Sequence, residues 1–429
     1  MIPLIDAIGA SPVYWGILIF FAAYPIVTSV VWVTTALLYF VRRESGMPTG
    51  PPPLRATPRV SVLIPAYNEQ ARVCETVDAC LALDYPDFEV VVVDDGSSDD
   101  TVPMVAPYVE AGHIRLVRKT RNEGKAMALN DAIPCLTGEL LLVVDADACP
   151  EPQALRHLVP HFESARVAAV TGNPRVVERN TLLTKLQVLE FTSIISLLRR
   201  AQRVWGRILT VSGVVTMFRI SAVVDVGMFS PDMATEDIDM TWKLEKRFYD
   251  VRYEPGAMVW MRVPTTLRAL VHQRRRWARG LAQVLRRHGR DVFTTWRRRR
   301  MWPVATEAVL SIAWAYLFVA LSTFWITALL MGQAPAGVSP FPNLWGVVIA
   351  TLAIVQLGIG MALDRRYDRG LLRDAPIAVL YPIIYWMLMA LITVVSTPRG
   401  LFGDRKRGLS RWHTPRPDAQ PEQAAVPAA

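Results

Sequence analysis

Cysteine is scarce in this chain. The four present (Cys74, Cys80, Cys135 and Cys149) are spread over 429 residues with no CxxC spacing. That spacing supports neither a disulfide scaffold nor a zinc site, and reduced thiols in a cytosolic domain are the plain reading. Charge is also missing from long stretches. Residues 14–41 carry none, and as a helix at about 1.5 Å per residue they span about 40 Å. The run is too long for the core of a secretory signal, and no basic segment precedes it. A transmembrane helix is expected there, kinked at Pro25.

What is present is apolar and basic. Hydrophobic residues make up 52% of the chain and the formal net charge is +9. Arg274, Arg275, Arg276, Arg286, Arg287 and residues 297–300 cluster ahead of an uncharged stretch. Basic clusters suit nucleic acid or the cytoplasmic face of a membrane. Apolar spans on both sides of a soluble region favour the membrane, and no nucleic-acid partner is expected. Arg42 and Arg43 close the first apolar run, which puts the N-terminus outside and the following domain in the cytoplasm.

The organisation expected is an extracytoplasmic segment (1–12), a membrane helix (13–41), a proline-rich linker (42–58) and an α/β domain (59–262). An amphipathic interface region (263–303), a membrane region (304–398) and a basic, then disordered tail (399–429) follow. Within the membrane region, 308–331 and 344–363 read as spans, and 375–397 as a third span or a re-entrant segment bent at Pro382. Three full crossings would leave the arginines after residue 398 outside, against the positive-inside rule. The stretch 182–198 is amphipathic and suits either the bilayer surface or packing on the sheet.

From residue 59 short β-rich runs (60–64, 90–93, 140–144, 167–170) alternate with helical ones, after Asn68 and over 124–133. Such alternation predicts a mixed, mostly parallel sheet, with ligands bound beyond the carboxyl ends of its strands. Polar motifs fall at those ends: Pro65, Tyr67 and Glu69 after the first run, Asp94-Asp95-Gly96-Ser97 after the second, and Asp145-Ala146-Asp147 after the third. Singly each reads as a solvated turn; three in register read as a site.

The chemistry follows from residue type. Asp145 and Asp147 offer two hard oxygens to a divalent cation, with diphosphate and water completing the shell. Pro65, Tyr67, Glu69 and Asp95 suit a nucleotide base and ribose. Lys125, at a helix start, suits an anion, or is a surface lysine. Thr235 reads as an N-cap, with Glu236 and Asp237 in the first turn of a helix, a rigid place for a general base. Asp237 is the expected base, taking a proton from an acceptor hydroxyl. Gln273, Arg276 and Trp277 fall on one helical surface, where Arg276 can clamp diphosphate and the indole can floor an acceptor sugar. Arg274 and Arg275 read as membrane-surface charge alone.

Asp95, Asp145-Ala146-Asp147, Thr235-Glu236-Asp237 and Gln273-Arg274-Arg275-Arg276-Trp277 together resemble the D, DxD, (T)ED and QxxRW motifs of family 2 inverting glycosyltransferases, the processive membrane-embedded kind. A narrower likeness, over about residues 59–412, is to the bacterial poly-β-1,6-N-acetylglucosamine synthases. It rests on residues 170–175, 210–214, 232–244, 263–267 and 300–303. The N-terminus departs from it, with one span where some members have two.

The resemblance implies a GT-A fold, Rossmann-like, flanked by transmembrane helices in a bacterial inner membrane. It also implies UDP-N-acetylglucosamine as donor, Mg²⁺ or Mn²⁺, a growing polysaccharide as acceptor, and one displacement with inversion. Gln273 and Arg276 would join Asp95 and Asp145 at the donor. In some relatives a small two-span membrane subunit and cyclic di-GMP activate the enzyme; no domain for that nucleotide is recognisable here. A hyaluronan- or chitin-synthase-like product is the alternative, and an inactive membrane scaffold the rival from another class.

Overall fold

The computed structural model describes residues 7–8, 10–46, 50–333, 344–403 and 409–412. Its centre is one eight-stranded sheet in the order β3-β2-β1-β4-β7-β6-β8-β5. The strands are β1 (Val60–Ala66), β2 (Phe88–Asp94), β3 (Arg115–Arg118), β4 (Leu140–Val144), β5 (Ala148–Pro150), β6 (Val167–Val176), β7 (Val215–Arg219) and β8 (Asp250–Met261). β3, β2, β1 and β4 run parallel, β7 is antiparallel between β4 and β6, β8 is parallel to β6, and β5 runs against β8.

The strand period explains why the sheet is buried on both faces. Val62, Ile64, Val92, Leu142 and Val144 enter one core with the Val73–Leu81 helix, while Leu63, Val91, Val93, Leu141 and Val143 enter another. The second core is covered by the Lys125–Ala132 and Glu236–Lys246 helices. Sidedness of this kind needs helices on both layers, as the α/β alternation predicts. The four expected strands are β1, β2, β4 and β6. Unforeseen were β3, β5, β7 and β8, whose residues are more polar or interrupted.

Four described helices are long and apolar enough to cross a membrane: Pro12–Arg43, Trp296–Leu330, Gly346–Asp364 and Tyr381–Phe402. Pro25 lies inside the first and cannot donate to the Phe21 carbonyl; the Trp314 indole N–H donates to it instead, at 3.0 Å. A neighbouring helix thus satisfies the polar group that proline frees in hydrocarbon.

At the domain side of these helices sits a buried ion cluster. Arg200 reaches Glu44 at 2.6 Å and Asp364 at 2.8 Å, and Arg175 reaches Asp364 at 2.6 Å. Each charge has an opposite partner, the condition under which burial is tolerated. The cluster joins the ends of two membrane helices to β6 and the Leu197–Trp205 helix. The stretch 182–198 lies between the sheet and the membrane helices: Leu186 is 3% exposed, and the Ser193 hydroxyl donates to the Leu357 carbonyl at 2.9 Å.

The last apolar run does not form one continuous helix. A 3₁₀ segment (Leu371–Val379) is followed by a π-helical turn (Tyr381–Tyr385) and an α-helix (Trp386–Phe402). One end bonds the α/β domain and the other the Leu267–Thr294 helix. Asp374 pairs with Arg179 and Lys185, while Arg286 donates to the carbonyls of Leu401 and Gly403, each at 3.3 Å. Residues 1–6, at the expected extracytoplasmic end, and the tail from Thr414 lie outside the described residues.

Candidate active site

The carboxyl ends of β1, β2 and β4 converge as expected. Past β1, Asn68 takes φ 55°, a left-handed conformation that asparagine tolerates. The turn is tied to the loop after β2: Asn68 N–H donates to Ser97 Oγ at 2.9 Å, Ser98 N–H to Asn68 Oδ1 at 2.9 Å, and Glu69 N–H to Thr101 Oγ1 at 2.7 Å. Pro65 and Glu69 are buried and Tyr67 is half-buried at this edge.

Asp95 is fully buried. Its carboxylate accepts from the N–H groups of Glu123 (3.2 Å) and Gly124 (2.7 Å) and pairs with Lys119 at 3.1 Å. Burial pushes its carboxyl above the usual range against those donors. Asp95 therefore braces the loop entering the Lys125–Ala132 helix.

Lys125 is no surface lysine. Its Nζ is 2.5 Å from Asp145 Oδ1, 2.8 Å from the Gly213 carbonyl and 3.5 Å from Glu236 Oε1. Burial opposes its charge, but Asp145 and Glu236 outweigh that and hold it well above the ordinary lysine value. One ammonium thus unites the DxD strand end with the Glu236–Lys246 helix. A Cβ on Gly213 would lie 3.2 Å from Asp237 Oδ2 and 3.5 Å from Lys125 Nζ, so glycine there leaves the space between Asp237 and Lys125 open.

Asp145 and Asp147 flank the buried Ala146, and their side chains keep 29% and 17% exposure. Asp147 lies 3.9 Å from Arg72. Among the described residues, no group of three or more His, Cys, Asp or Glu could hold a metal ion. Two carboxylates with the remaining positions left to ligand oxygens match a Mg²⁺ or Mn²⁺ ion shared with a diphosphate.

Asp237 opens the Glu236–Lys246 helix, its Oδ1 accepting from Ile238 N–H at 2.9 Å. Burial, then Glu236, pushes its carboxyl up to about 6, against Lys125, the Ile238 N–H and Arg276. The expected cap by Thr235 is absent: its hydroxyl makes no cap bond and has no hydrogen-bond partner. The reason is packing. The Leu267–Thr294 helix passes so close that a Cβ on Gly280 would stand 2.1 Å from Thr235 Oγ1. The same helix bonds this loop in both directions: Gln283 Oε1 accepts from Ala234 N–H at 3.0 Å, and Arg287 donates to the Asp232 carboxylate. Further along it, His288 Nε2 meets Asp239 Oδ1 at 2.8 Å.

Gln273, Arg276 and Trp277 lie near the start of that helix, Arg276 exposed and the other two half-buried. Arg274 departs from its reading as surface charge: it is 3% exposed, bonded to Glu190, and its guanidinium lies over the Trp277 ring. A local arginine run gave no sign of this, because the partners come from distant segments.

The sequence also gave no sign that residues 409–412 return across the cleft. Ser410 N–H donates to the Pro231 carbonyl at 2.8 Å, Asn122 Nδ2 to the Trp412 carbonyl at 3.3 Å, and the Trp412 ring meets Tyr67 edge-on at 6.0 Å.

Comparison with known proteins agrees with this architecture. A family described as "Glycosyltransferase like family 2" matches residues 58–280. A poly-β-1,6-N-acetyl-D-glucosamine synthase from Staphylococcus epidermidis is 32% identical over 404 residues, covering 92% of this chain and 97% of that protein. The synthase of the same name from Staphylococcus aureus matches with the same identity and coverage. Among solved structures, a mannosyltransferase from Pyrobaculum calidifontis, in complex with GDP-mannose and Mn²⁺, superposes with a TM-score of 0.61. It is 25% identical and covers 89% of this chain and 99% of its own. A GT-A sheet with the DxD motif at a strand end and the ED and QxxRW motifs on two neighbouring helices, in a chain matched along nearly its whole length, has one conclusion: the protein belongs to the family 2 glycosyltransferases.

Proposed function

We propose that this glycosyltransferase polymerises N-acetylglucosamine from UDP-N-acetylglucosamine into a β-1,6-linked exopolysaccharide of biofilm, at the cytoplasmic face of a bacterial inner membrane. The observation that carries the reading is the meeting of Asp237, Lys125 and Asp145 at one point of the cleft, in a chain similar along 92% of its length to synthases of that name.

In this mechanism the Asp237 carboxylate takes the proton of the acceptor 6-hydroxyl. The acceptor oxygen bonds to the donor C1 as the C1–diphosphate bond breaks, so the α-linked donor becomes a β-linked product and UDP leaves. Lys125 and Arg276 bring positive charge toward the leaving diphosphate. Glu236 keeps Lys125 in place. A divalent cation held by Asp145 and Asp147 would neutralise charge on the nucleoside diphosphate. Pro65, Tyr67 and Glu69 line the base side of the cleft, while Asp95 acts by fixing the Glu123–Gly124 turn beside it. Gln273 faces the donor and Trp277 floors the acceptor sugar.

The topology of this reading has the N-terminus outside and three crossings: Pro12–Arg43, Trp302–Leu330 and Leu344–Asp364. The Leu371–Phe402 segment is re-entrant in this reading, bent at the π-helical turn that holds Pro382; Asp374 ahead of the turn pairs with Arg179, and Arg286 bonds the far end. Arg399 and Arg411 then stay inside, and charge and parity agree.

The test is UDP release by the chain in lipid with single UDP-sugars, with and without Mg²⁺ or Mn²⁺, and digestion of the product by a β-1,6-N-acetylglucosaminidase. Metal-dependent turnover of UDP-N-acetylglucosamine to a digestible polymer is expected. A resistant polymer would refute the linkage, and metal-independent turnover would refute the cation's role.

A further inference from the structure

Three consecutive arginines follow Gln273, yet they have three different environments. Arg276 is exposed and Arg275 half-buried, but Arg274 is 3% exposed. An arginine is buried at a cost unless it is paired and bonded. Arg274 Nη2 bonds Glu190 and lies 3.3 Å from the Tyr385 hydroxyl, which itself donates to Glu190 Oε2 at 2.8 Å. Carboxylate, phenol and guanidinium close a three-membered ring of hydrogen bonds.

The two partners come from unusual places. Glu190 begins a π-helical segment, Glu190–Ser196, and Tyr385 ends another, Tyr381–Tyr385. A π-turn inserts an extra residue and re-aims side chains, and such turns gather at functional sites. Tyr385 is held in turn by stacking on Tyr381, ring centres 5.0 Å apart. Two widened turns, about 190 residues apart in sequence, thus aim at one guanidinium.

That guanidinium lies over an indole. Its central carbon is 3.9 Å from the centre of the Trp277 ring, well inside the range of a cation–π contact. Arg274 Nε and Nη1 have no hydrogen-bond partner, so nothing pulls the plane of the cation off the ring. One face of the indole is thereby covered and the ring also packs against the sheet core; the surface it keeps exposed, half-buried as it is, is the part a ligand can meet.

We infer that Arg274 is a positioning residue: clamped by Glu190 and Tyr385, it fixes the orientation of Trp277, and so sets how the terminal acceptor sugar is seated. The acceptor part of this rests on the proposed function; the clamp on the indole does not. Lysine keeps the charge but loses the planar fork, so Arg274→Lys is not a conservative change here. Glu190→Gln keeps shape and removes only the charge that anchors the fork.

The experiment is a ¹⁹F NMR spectrum of the full chain in lipid nanodiscs, with its 13 tryptophans replaced by 5-fluorotryptophan. Trp277→Phe identifies the Trp277 resonance. In both Arg274→Lys and Glu190→Gln that resonance is expected to shift and broaden while the others hold. In the same samples, KM for a soluble N-acetylglucosamine oligomer rises about tenfold, the scale of a desolvated cation–π contact. KM for the UDP-sugar stays within about twofold, because the donor side is untouched. An unmoved Trp277 resonance in either folded variant overturns the inference, as does an equal rise in both KM values. If the resonance moves but the wild type does not turn over UDP-N-acetylglucosamine, the substrate reading fails and the clamp stands. Should Arg274→Lys not fold, the isosteric Glu190→Gln decides alone.

Discussion

Gly280 and Thr235 touch so closely that a single methyl group has no room between them: a Cβ on Gly280 would stand 2.1 Å from Thr235 Oγ1 and 2.5 Å from its Cγ2. Thr235 immediately precedes the two carboxylates of the site, so the spacing between the Leu267–Thr294 helix and the Glu236–Lys246 helix is set by the absence of a side chain. Gly280→Ala is expected to push the loop away and misplace Asp237 by several tenths of an ångström. The measured consequence is a fall in kcat of about tenfold or more at a nearly unchanged KM for the donor. Wild-type kcat in the alanine variant would show that the contact has no bearing on the base.

As the proposed general base, Asp237 is expected to set the acid limb of the pH profile. Its carboxyl is pushed up to about 6 by burial and by Glu236, and a general base works only when ionised. Below about pH 6 the native group is protonated, so kcat/KM is expected to fall roughly tenfold per pH unit and to level off above it. Asp237→Asn removes the limb and lowers kcat by about 10²–10⁴-fold. An unchanged profile in the asparagine variant would assign the base elsewhere.

Lys125 acts on the same titration. Its ammonium opposes the rise of the Asp237 carboxyl, so Lys125→Met is expected to move the acid limb to higher pH. The substitution also leaves Asp145 and Glu236 without their shared cation, and KM for the UDP-sugar should rise about tenfold or more. A limb that stays in place, measured on the folded variant, would mean that the lysine is electrically remote from the base.

Glu245 lies on the buried side of the last turn of the Glu236–Lys246 helix, 2% exposed, accepting from Ile208 N–H at 2.9 Å. Burial pushes its carboxyl up to about 8, against the Arg207 charge and the Ile208 N–H. The folded chain therefore keeps this proton between about pH 4.5 and 8, where the unfolded chain has released it. More protons bound in the folded state means that this group's contribution to stability falls as pH rises across that window. Glu245→Gln removes the dependence. The variant should unfold at a higher temperature than wild type at pH 8, and the gap should close toward pH 5. A gap independent of pH would show that Glu245 is ionised in the fold.

The sequence by itself determined the chemistry and the class of fold. Runs such as Val60–Ile64 and Leu140–Val144 name strands because both faces of a central strand are buried, and that is a local property of the chain. Asp145 and Asp147 stand at a strand end because the apolar run stops there, and residues 14–41 mark a membrane helix by their lack of charge. Only the tertiary structure decided the rest. It turned Arg274 from surface charge into the buried partner of Trp277, denied Thr235 its cap through Gly280, and brought Trp412 to Tyr67. It also bonded both ends of the last apolar run to distant segments of the chain. Each of these depends on a contact between residues far apart in the chain, whose energy comes from close packing and paired burial, and no local period or composition encodes which distant partner will arrive.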